Sequence, residues 1–574
     1  MPFSGTDSGG FRWEGFNSGA PSQQRPPREK KPRKAVKSPA ARILINLLVT
    51  AAVGFVYFYL ELPAINLQDP DFYAFALAMC AAYCVSAVLT SGFQGEGVKN
   101  YFKFLKKQCA VPLFLALALV ALSAVGSVVG SVVFRARSYS QLLNVQPGDF
   151  AAEVDEISYD QIPMLDRASA ERLGDRKLGE LSDMVSQFEV VDDYTQINYG
   201  GRPVRVATLM YADLIKWFTN RGGGLPAYIL IDMVTQNVEL VRLEEGIKYT
   251  NAEHFSRNLY RHIRFRYPAY MFAQPVMEVN EEGVPYWICP RVVKTIGLFG
   301  GVDVKGAVLV NAVSGESEYY EEVPPWVDNL YPAGLIIQQY DYYGMYHNGF
   351  LNSLFGQRDV TVTTDGYNYL ALGDDVWVYT GITSTGGDQS NIGFLLTNQR
   401  TKESHFYSSA GATEQSAMAS ANGELQNLRY QATFPLLLNV GGQPTYFMAM
   451  KDAAELVKKY AMVNVQQYQI VATGDTVGQC EQNYLAMLSQ NGVVDGNTGL
   501  SGAQTAEGSI AEIRTAVLDG NSYYFIRLAG SDVFYAVSAS DQPLAVILSE
   551  GDRVTITYRA GEGSILDGVT VERQ

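Results

Sequence analysis

The sequence predicts an α-helical membrane anchor followed by an α+β region of repeated helix-on-antiparallel-sheet units and a small C-terminal β-barrel. Three observations carry this. Ile43 to Leu60, Phe72 to Thr90 and Ala110 to Phe134 are apolar runs of 18, 19 and 25 residues without a charged side chain. Between about 165 and 475, two short turn patterns recur with apolar, strand-like flanks. Residues 507–574 then alternate short β-type runs with turns.

The N-terminal residues 1–42 hold nine basic side chains, Arg12, Arg25, Arg28, Lys30, Lys31, Arg33, Lys34, Lys37 and Arg42, against three acidic ones. Rich in Pro, Gly, Ser and Gln, this tail lacks the apolar content to bury a core and is expected to be disordered. The three runs at 43–134 match the roughly 20 residues a helix needs to cross hydrocarbon. The first begins too far into the chain, and Tyr57 to Leu62 is too bulky, for a cleaved signal peptide. Lys99, Lys103, Lys106 and Lys107 lie between runs two and three, while Glu61, Asp69 and Asp71 lie between runs one and two. The positive-inside tendency therefore places the N-terminus in the cytoplasm and residues 135–574 outside it, in a multi-pass protein of the cell membrane. Gly126 and Gly130 in the third run, flanked by Ser123, Ser127 and Ser131, form a small-residue face expected to pack on the other two runs. With no Asp, Glu, Lys, Arg or His inside the runs, they read as an anchor rather than a transport path.

Residues 135–164 read as a juxtamembrane linker, 165–325 as the first two α+β units and 326–491 as the next two. One turn pattern is Asn198-Tyr-Gly-Gly201-Arg-Pro203, Asn280-Glu-Glu-Gly283-Val-Pro285 and Asn439-Val-Gly-Gly442-Gln-Pro444, with Asp365-Gly366 expected in its place in the third unit. Asn and Gly supply the positive φ angles of a hairpin turn. The other pattern is Asp232-Met-Val-Thr235, Asn311-Ala-Val-Ser314 and Asn398-Gln-Arg-Thr401, each between apolar or aromatic runs. Helices are expected at Ala168 to Phe188, Asn251 to Arg266, Tyr343 to Phe355, Thr413 to Leu428 and Ala453 to Tyr460, the second with an apolar face of Phe255, Leu259 and Ile263. Residues 492–506 form a Gly/Asn/Ser/Thr-rich linker, and the alternating runs of 507–574 fit an SH3-like or OB-like barrel.

The order of helix, hairpin and a Val310-Asn-Ala-Val-Ser-Gly-Glu316 type of turn resembles PepSY-type modules on the extracytoplasmic side of bacterial membrane proteins. That resemblance spans about 310 residues, brings no catalytic motif, and implies a binding or regulatory module.

Overall charge is −15, from 44 Lys+Arg and 59 Asp+Glu, and everything after the anchor is acidic. Nucleic-acid binding by that region is disfavoured, since phosphate contacts need concentrated basic side chains; the barrel, with five Arg and ten acidic residues, is no exception. His254, His262, His347 and His405 form no close metal-ligand pair. No nucleophile elbow or phosphate loop occurs. Asp374 and Asp375, with Asp365, lack the spacing of a calcium loop and read as a solvated turn. Cys289 and Cys480, the two cysteines of the large region, read as separately buried thiols, with one long-range bridge between them in an oxidising compartment as the alternative. No catalytic, metal or cofactor-binding residue is expected. Two surfaces remain as candidates for ligands: the basic stripe Arg257, Arg261 and Arg264, suited to anionic polymers or lipid heads, and the aromatic cluster Tyr340, Tyr342, Tyr343 and Tyr346, suited to glycans or proteins. The expected function is a non-catalytic binding, sensing or scaffolding protein of a bacterial-type cell envelope. Its partners would be the lipid bilayer and cell-envelope proteins or anionic wall polymers, with no nucleic acid and the oligomeric state open. The alternatives are a membrane-anchored hydrolase with an unrecognised site and an accessory subunit of a transport or secretion complex.

Overall fold

The computed structural model describes residues 36, 38–91, 98–156, 162–181, 184–386, 390–494, 503–518, 521–539, 542–559 and 564–574. The expected disordered tail lies almost wholly outside the described residues, as does most of the 492–506 linker. Two compact units are formed, one by residues up to Val56 with Ala76–Ala118, the other by Tyr57–Phe75 with Leu119–Gln574.

Among the described residues three helices are long and apolar enough to cross a membrane: Pro39–Glu61, Pro70–Ser91 and Ala110–Val129. Within the first unit, Asn46 sits on the first helix fully buried, and its Oδ1 accepts from Ser86 Oγ at 2.8 Å and Thr90 Oγ1 at 2.9 Å on the second. In an apolar setting such bonds hold helices together because the amide has no water to turn to. The lysine cluster forms a separate helix, Val98–Gln108. The third helix stops at Val129, five residues short of its apolar run, and Val132–Tyr139 starts a new one across Gly130-Ser131.

Among its described residues the second unit contains, besides a C-terminal ring of strands, four sheets of one design, antiparallel except for one added strand in the third. In each, two short strands share one edge of a long strand, which pairs antiparallel with a fourth, which pairs with a fifth. Sheet 1 runs Phe188–Val190 and Thr195–Tyr199 on Arg202–Tyr211, then Leu225–Asp232 and Val238–Ile247. Sheet 2 runs Met271–Phe272 and Val276–Val279 on Pro285–Ile296, then Gly300–Asn311 and Ser317–Tyr320. Sheet 3 runs Thr361–Thr363 and Asn368–Leu372 on Asp375–Ser384, then Ser390–Asn398 and Ser404–Ala412. Sheet 4 runs Gln431–Ala432 and Leu436–Val440 on Gln443–Lys451, then Val457–Asn464 and Val471–Gly474.

The likeness extends to single hydrogen bonds. The first hairpin turns at Gly200-Gly201, Gly283, Gly373 and Gly441-Gly442, all at positive φ between 61° and 79°. Asp365-Gly366 is thus not the third copy of that turn: Gly373-Asp374 is, and without flanking Asn and Pro it left no pattern to read. At the other turn an Asx side chain accepts from backbone N–H groups two and three residues on, at 2.8 to 3.0 Å, in Asp232, Asn311 and Asn398. Asn464, accepting from Gln467 N at 2.8 Å, is the fourth, which the sequence pattern missed. The next residue, Met233, Ala312, Gln399 or Val465, donates its N–H to the carbonyl of Pro203, Pro285, Val376 or Pro444 at 3.0 to 3.1 Å. Its own carbonyl accepts from the segment leading into a helix, at Met164, Lys248, Tyr331 or Ala412.

Those helices are Arg167–Gly179, Leu259–Arg266, Ala333–Tyr346 and Glu414–Glu424. The third begins ten residues before its expected start, and the expected helix at Ala453 to Tyr460 is instead a turn and the strand Val457–Asn464. Tertiary pairing with Gln443–Lys451 decides that segment, and Asp452 fixes the turn by accepting from Ala454 N and Leu456 N at 2.9 and 3.0 Å.

Sheets 1 and 2 share a core with Leu178, Val206, Ile229, Trp287, Cys289 and Val308; sheets 3 and 4 share another with Tyr379, Phe394, Phe447, Met462 and Cys480. Alternation along each strand explains how both faces of a sheet are filled: Tyr379 points into the sheet 3–4 core while Val378 and Ile382 meet Ile336 and Tyr340 of the helix Ala333–Tyr346. Cys289 and Cys480 are free, buried in different cores, with thiol pKa values pushed up by desolvation.

The expected juxtamembrane linker is woven into the fold. Val145–Gly148 joins sheet 3 as a sixth strand, parallel to Ser404–Ala412, and Phe150, Val154 and Ile162 enter the sheet 3–4 core. The chain therefore visits the second sheet pair, builds the first, and returns. At the C-terminus Ala503–Leu518, Asn521–Leu528, Phe534–Ser538, Ile565–Arg573 and Arg553–Arg559 pair in a closed ring around Ile526, Val537, Val554 and Ile556.

Candidate functional site

The three arginines expected as a free stripe are occupied by the protein itself. Asn258 caps the helix Leu259–Arg266 by accepting from Arg261 N at 3.2 Å, and Leu259 and Ile263 turn inward. The opposite face carries Arg261 and Arg264, whose Nε groups donate to the carbonyls of Tyr59 at 3.2 Å and Leu62 at 2.8 Å. The last turn of a helix leaves its carbonyls without intrahelical partners, so a guanidinium there satisfies them and opposes the dipole. The Arg261 guanidinium also lies 4.2 Å over the Tyr59 ring, Phe265 packs on Phe58 at 5.3 Å, and Arg264 donates to Tyr270 O at 2.5 Å. Burial lowers the Arg264 pKa, opposed by Asp69 and Asp71. Arg257 donates to Arg221 O. The Arg261 and Arg264 contacts are structural, so replacing these two arginines is expected to lower the melting temperature.

Next to them, Gln68 Nε2 donates to Lys294 O at 2.8 Å, and the hairpin Ile296–Gly300 meets the small-residue face. A Cβ on Gly126 would come within 2.6 Å of Leu298, and one on Gly130 within 3.2 Å of Ile296 O. Gly126 and Gly130 thus admit a β-hairpin, not the expected helix: sheet 2 reaches both the segment 57–75 and the end of the third apolar helix. A cleft of about 380 Å³ opens beside the arginines, lined by Leu60, Glu61, Tyr260, Arg261, Arg264 and Phe272.

The aromatic cluster divides by helical spacing. Tyr340, one turn from Ile336, is 2% exposed and belongs to the core beneath sheet 3. Tyr342 and Tyr346 stack on the other side, with Tyr139 against Tyr342 at 4.8 Å, and Tyr343 stacks on His347. Only Tyr342, Tyr343 and Tyr346 keep partial exposure. Asp375 is held by the Arg400 guanidinium at 2.6 and 2.7 Å and by Asn398 Nδ2 at 2.7 Å, so both carboxylate oxygens have donors from the protein itself.

Sequence reasoning missed a pair of buried carboxyls. Glu278 is fully buried and accepts from Asp328 N and Asn329 N at 2.8 Å and Asn329 Nδ2 at 3.0 Å; Asp328, 2% exposed, accepts from Asn198 N at 2.6 Å. Burial raises both pKa values, and the Glu278 charge raises Asp328 further. The pair ties the sheet 1 turn to sheet 2, and Asn198 Nδ2 continues to Gly373 O at 3.1 Å in sheet 3. The available signal was Glu278 itself, an acid at an inward position of Val276–Val279.

No known protein family matches the chain, and no curated protein matches it. Among solved structures, a B. megaterium levansucrase aligns at 9% identity and TM-score 0.17, covering 76% of this chain and 94% of the other. A Bacillus subtilis levansucrase aligns at 8% identity and TM-score 0.17, covering 74% and 97%. Likenesses at that level carry no argument about fold or activity.

Proposed function

We propose that this is a membrane-anchored binding, sensing or scaffolding protein whose residues 135–574 act outside the cytoplasm of a bacterial-type cell, the N-terminus being cytoplasmic. The observation that supports it most is the fastening of sheet 2 to the segment 57–75 through Arg261 and Arg264, and to Gly126 and Gly130 through Ile296–Gly300. A folded region held at both places where the chain leaves its apolar helices suits a rigid platform on a membrane. We read the four sheets as duplicated PepSY-type units and the closed C-terminal ring as a small SH3-like or OB-like barrel. Cell-envelope proteins or anionic wall polymers are the partners this reading favours. Glu278 and Asp328 are sealed from solvent and accept from the N–H groups of Asp328, Asn329 and Asn198, which favours a structural role for them over hydrolysis.

The test uses the full chain in native membranes. Cross-linking followed by capture should retain envelope proteins or wall polymer that an anchor of residues 1–134 does not. Equal retention by both would sink the reading. Single cysteines near Ser420 should react with an impermeant reagent on intact cells, and ones near Ser38 should not; the reverse would overturn the orientation.

A further inference from the structure

Four large apolar side chains stand exposed around Trp217. Leu214, Ile215 and Phe218, on the helix Leu214–Asn220, are 65, 74 and 65% exposed, and Phe255 is 61% exposed. Phe255 was expected on the inward face of its helix; it sits instead on a short turn before that helix, at φ +52°, a left-handed conformation unfavourable for a bulky side chain. Trp217 is buried beneath Phe218 and Phe255 at ring distances of 5.6 and 5.7 Å, with Nε1 donating to Glu253 at 2.6 Å. Asp213 accepts from Ile215 N and Lys216 N at 2.8 Å, which spends its charge on the helix start. The surrounding side chains are basic: Lys216, Arg257, and Arg221, whose guanidinium lies 4.6 Å from the Phe218 ring centre.

What covers this surface follows from its attachment. Arg261 joins it to the end of the first apolar helix, donating one nitrogen to Phe255 O at 2.7 Å and another to Tyr59 O at 3.2 Å. Phe255 is thus one side chain away from the last turn of Pro39–Glu61. A water-exposed patch of this size is unfavourable, whereas aromatic and aliphatic tips with a basic border suit the layer between acyl chains and headgroups.

We propose that Leu214, Ile215, Phe218 and Phe255 dip into the interfacial layer of the bilayer that the apolar helices cross, with Lys216, Arg221 and Arg257 against anionic lipid headgroups. This rests on the anchoring proposed above and adds a second, peripheral contact with the same membrane. It would hold sheets 1 and 2 flat on the lipid.

The full chain, reconstituted in vesicles, tests it. An environment-sensitive fluorescent residue replaces Ile215, Leu48 in the first apolar helix, or the exposed Gln415 in separate preparations, and the lipids carry bromine near the headgroup end of their acyl chains. Position 215 should be strongly quenched and position 415 unquenched. Leaving out anionic lipid, or combining Lys216→Glu, Arg221→Glu and Arg257→Glu, should remove most quenching at 215 and none at 48. Quenching at 48 without quenching at 215 overturns the proposal and leaves the anchor standing. Emission at 215 that shifts to the blue without quenching, and grows with protein concentration, overturns it in favour of a second copy. Absence of quenching at 48 removes the anchor and this contact together.

Discussion

Sheets 2 and 4 share one strand order and the same two turns, yet the helices laid on them do opposite things with their outer faces. Leu259–Arg266 spends its outward arginines on the carbonyls of Tyr59 and Leu62, two hundred residues away in the chain. Glu414–Glu424 buries Ala417 and Ala421, and outside them Ser420 Oγ merely returns to Ser416 O at 3.1 Å. The strand framework is therefore the constant part and the outer helix face the variable one. A repeated unit acquires a role through a few side chains that leave its folding pattern unchanged.

Breaking the arginine contacts should produce the largest difference between the two. Arg261→Ser with Arg264→Ser leaves several partly buried carbonyls without donors, at about 1 to 3 kcal/mol each, so a loss of about 3 kcal/mol is expected. Ser420→Ala should stay within about 0.5 kcal/mol. Thermal unfolding in detergent and amide exchange in residues 57–75 check this; comparable small effects would erase the contrast.

The Asx turns sharpen it from the conserved side of the architecture. Asn311→Ala should cost about 1 to 2 kcal/mol by freeing two N–H groups. Asn464→Ala frees one N–H group instead of two, but should cost about 1 kcal/mol more because Asn464 is fully buried and its Nδ2 bonds the buried Tyr484 hydroxyl at 3.0 Å. Equal costs would mean that this buried bond adds no more than the second N–H of the Asn311 turn.

The carboxyl pair gives sheet 2 a pH dependence that sheet 4 lacks at its first hairpin, where the strand positions matching Glu278 are Leu437 and Leu438. Glu278 and Asp328 have folded-state pKa values above the unfolded carboxylate range. The folded state therefore binds more protons than the unfolded one above a pH of about 4. By linkage, stability from this pair is full below that pH and falls as pH rises through the raised values, by at most about 1.4 kcal/mol per unit for one group. Glu278→Gln should flatten that fall in unfolding curves taken from acid to mildly alkaline pH. An unchanged slope would place the titrating group elsewhere.

The smallest effect belongs to the hairpin glycines. Gly442→Val meets no neighbouring atom and suffers only from its φ of +70°, at about 1 to 2 kcal/mol. Gly283→Val, at φ +79°, should cost about the same. A much larger loss at 283, read by the same unfolding experiment, would show that the Tyr228 hydroxyl, which donates to Gly283 O at 3.2 Å, makes this turn the less tolerant one.

The sequence by itself determined the local features. Hydrophobic run length marks three helices able to cross a membrane, and Asn, Asp and Gly mark hairpin and Asx turns, because both signals depend on a few adjacent residues and on φ angles that few side chains accept. Where the signal is not local, tertiary structure decided. Nothing near Ala453 distinguishes helix from strand until Gln443–Lys451 lies beside it, and nothing in residues 135–164 announces a sixth strand for sheet 3. The arginine stripe was legible as charge on one helix face, but its partners are the carbonyls of Tyr59 and Leu62, and a backbone carbonyl is the same in every residue. Glu278 and Asp328 lie fifty residues apart, and only the fold turns both away from water. Phe255 shows the reverse: its helical spacing pointed inward, and a single turn at positive φ sent the ring outside.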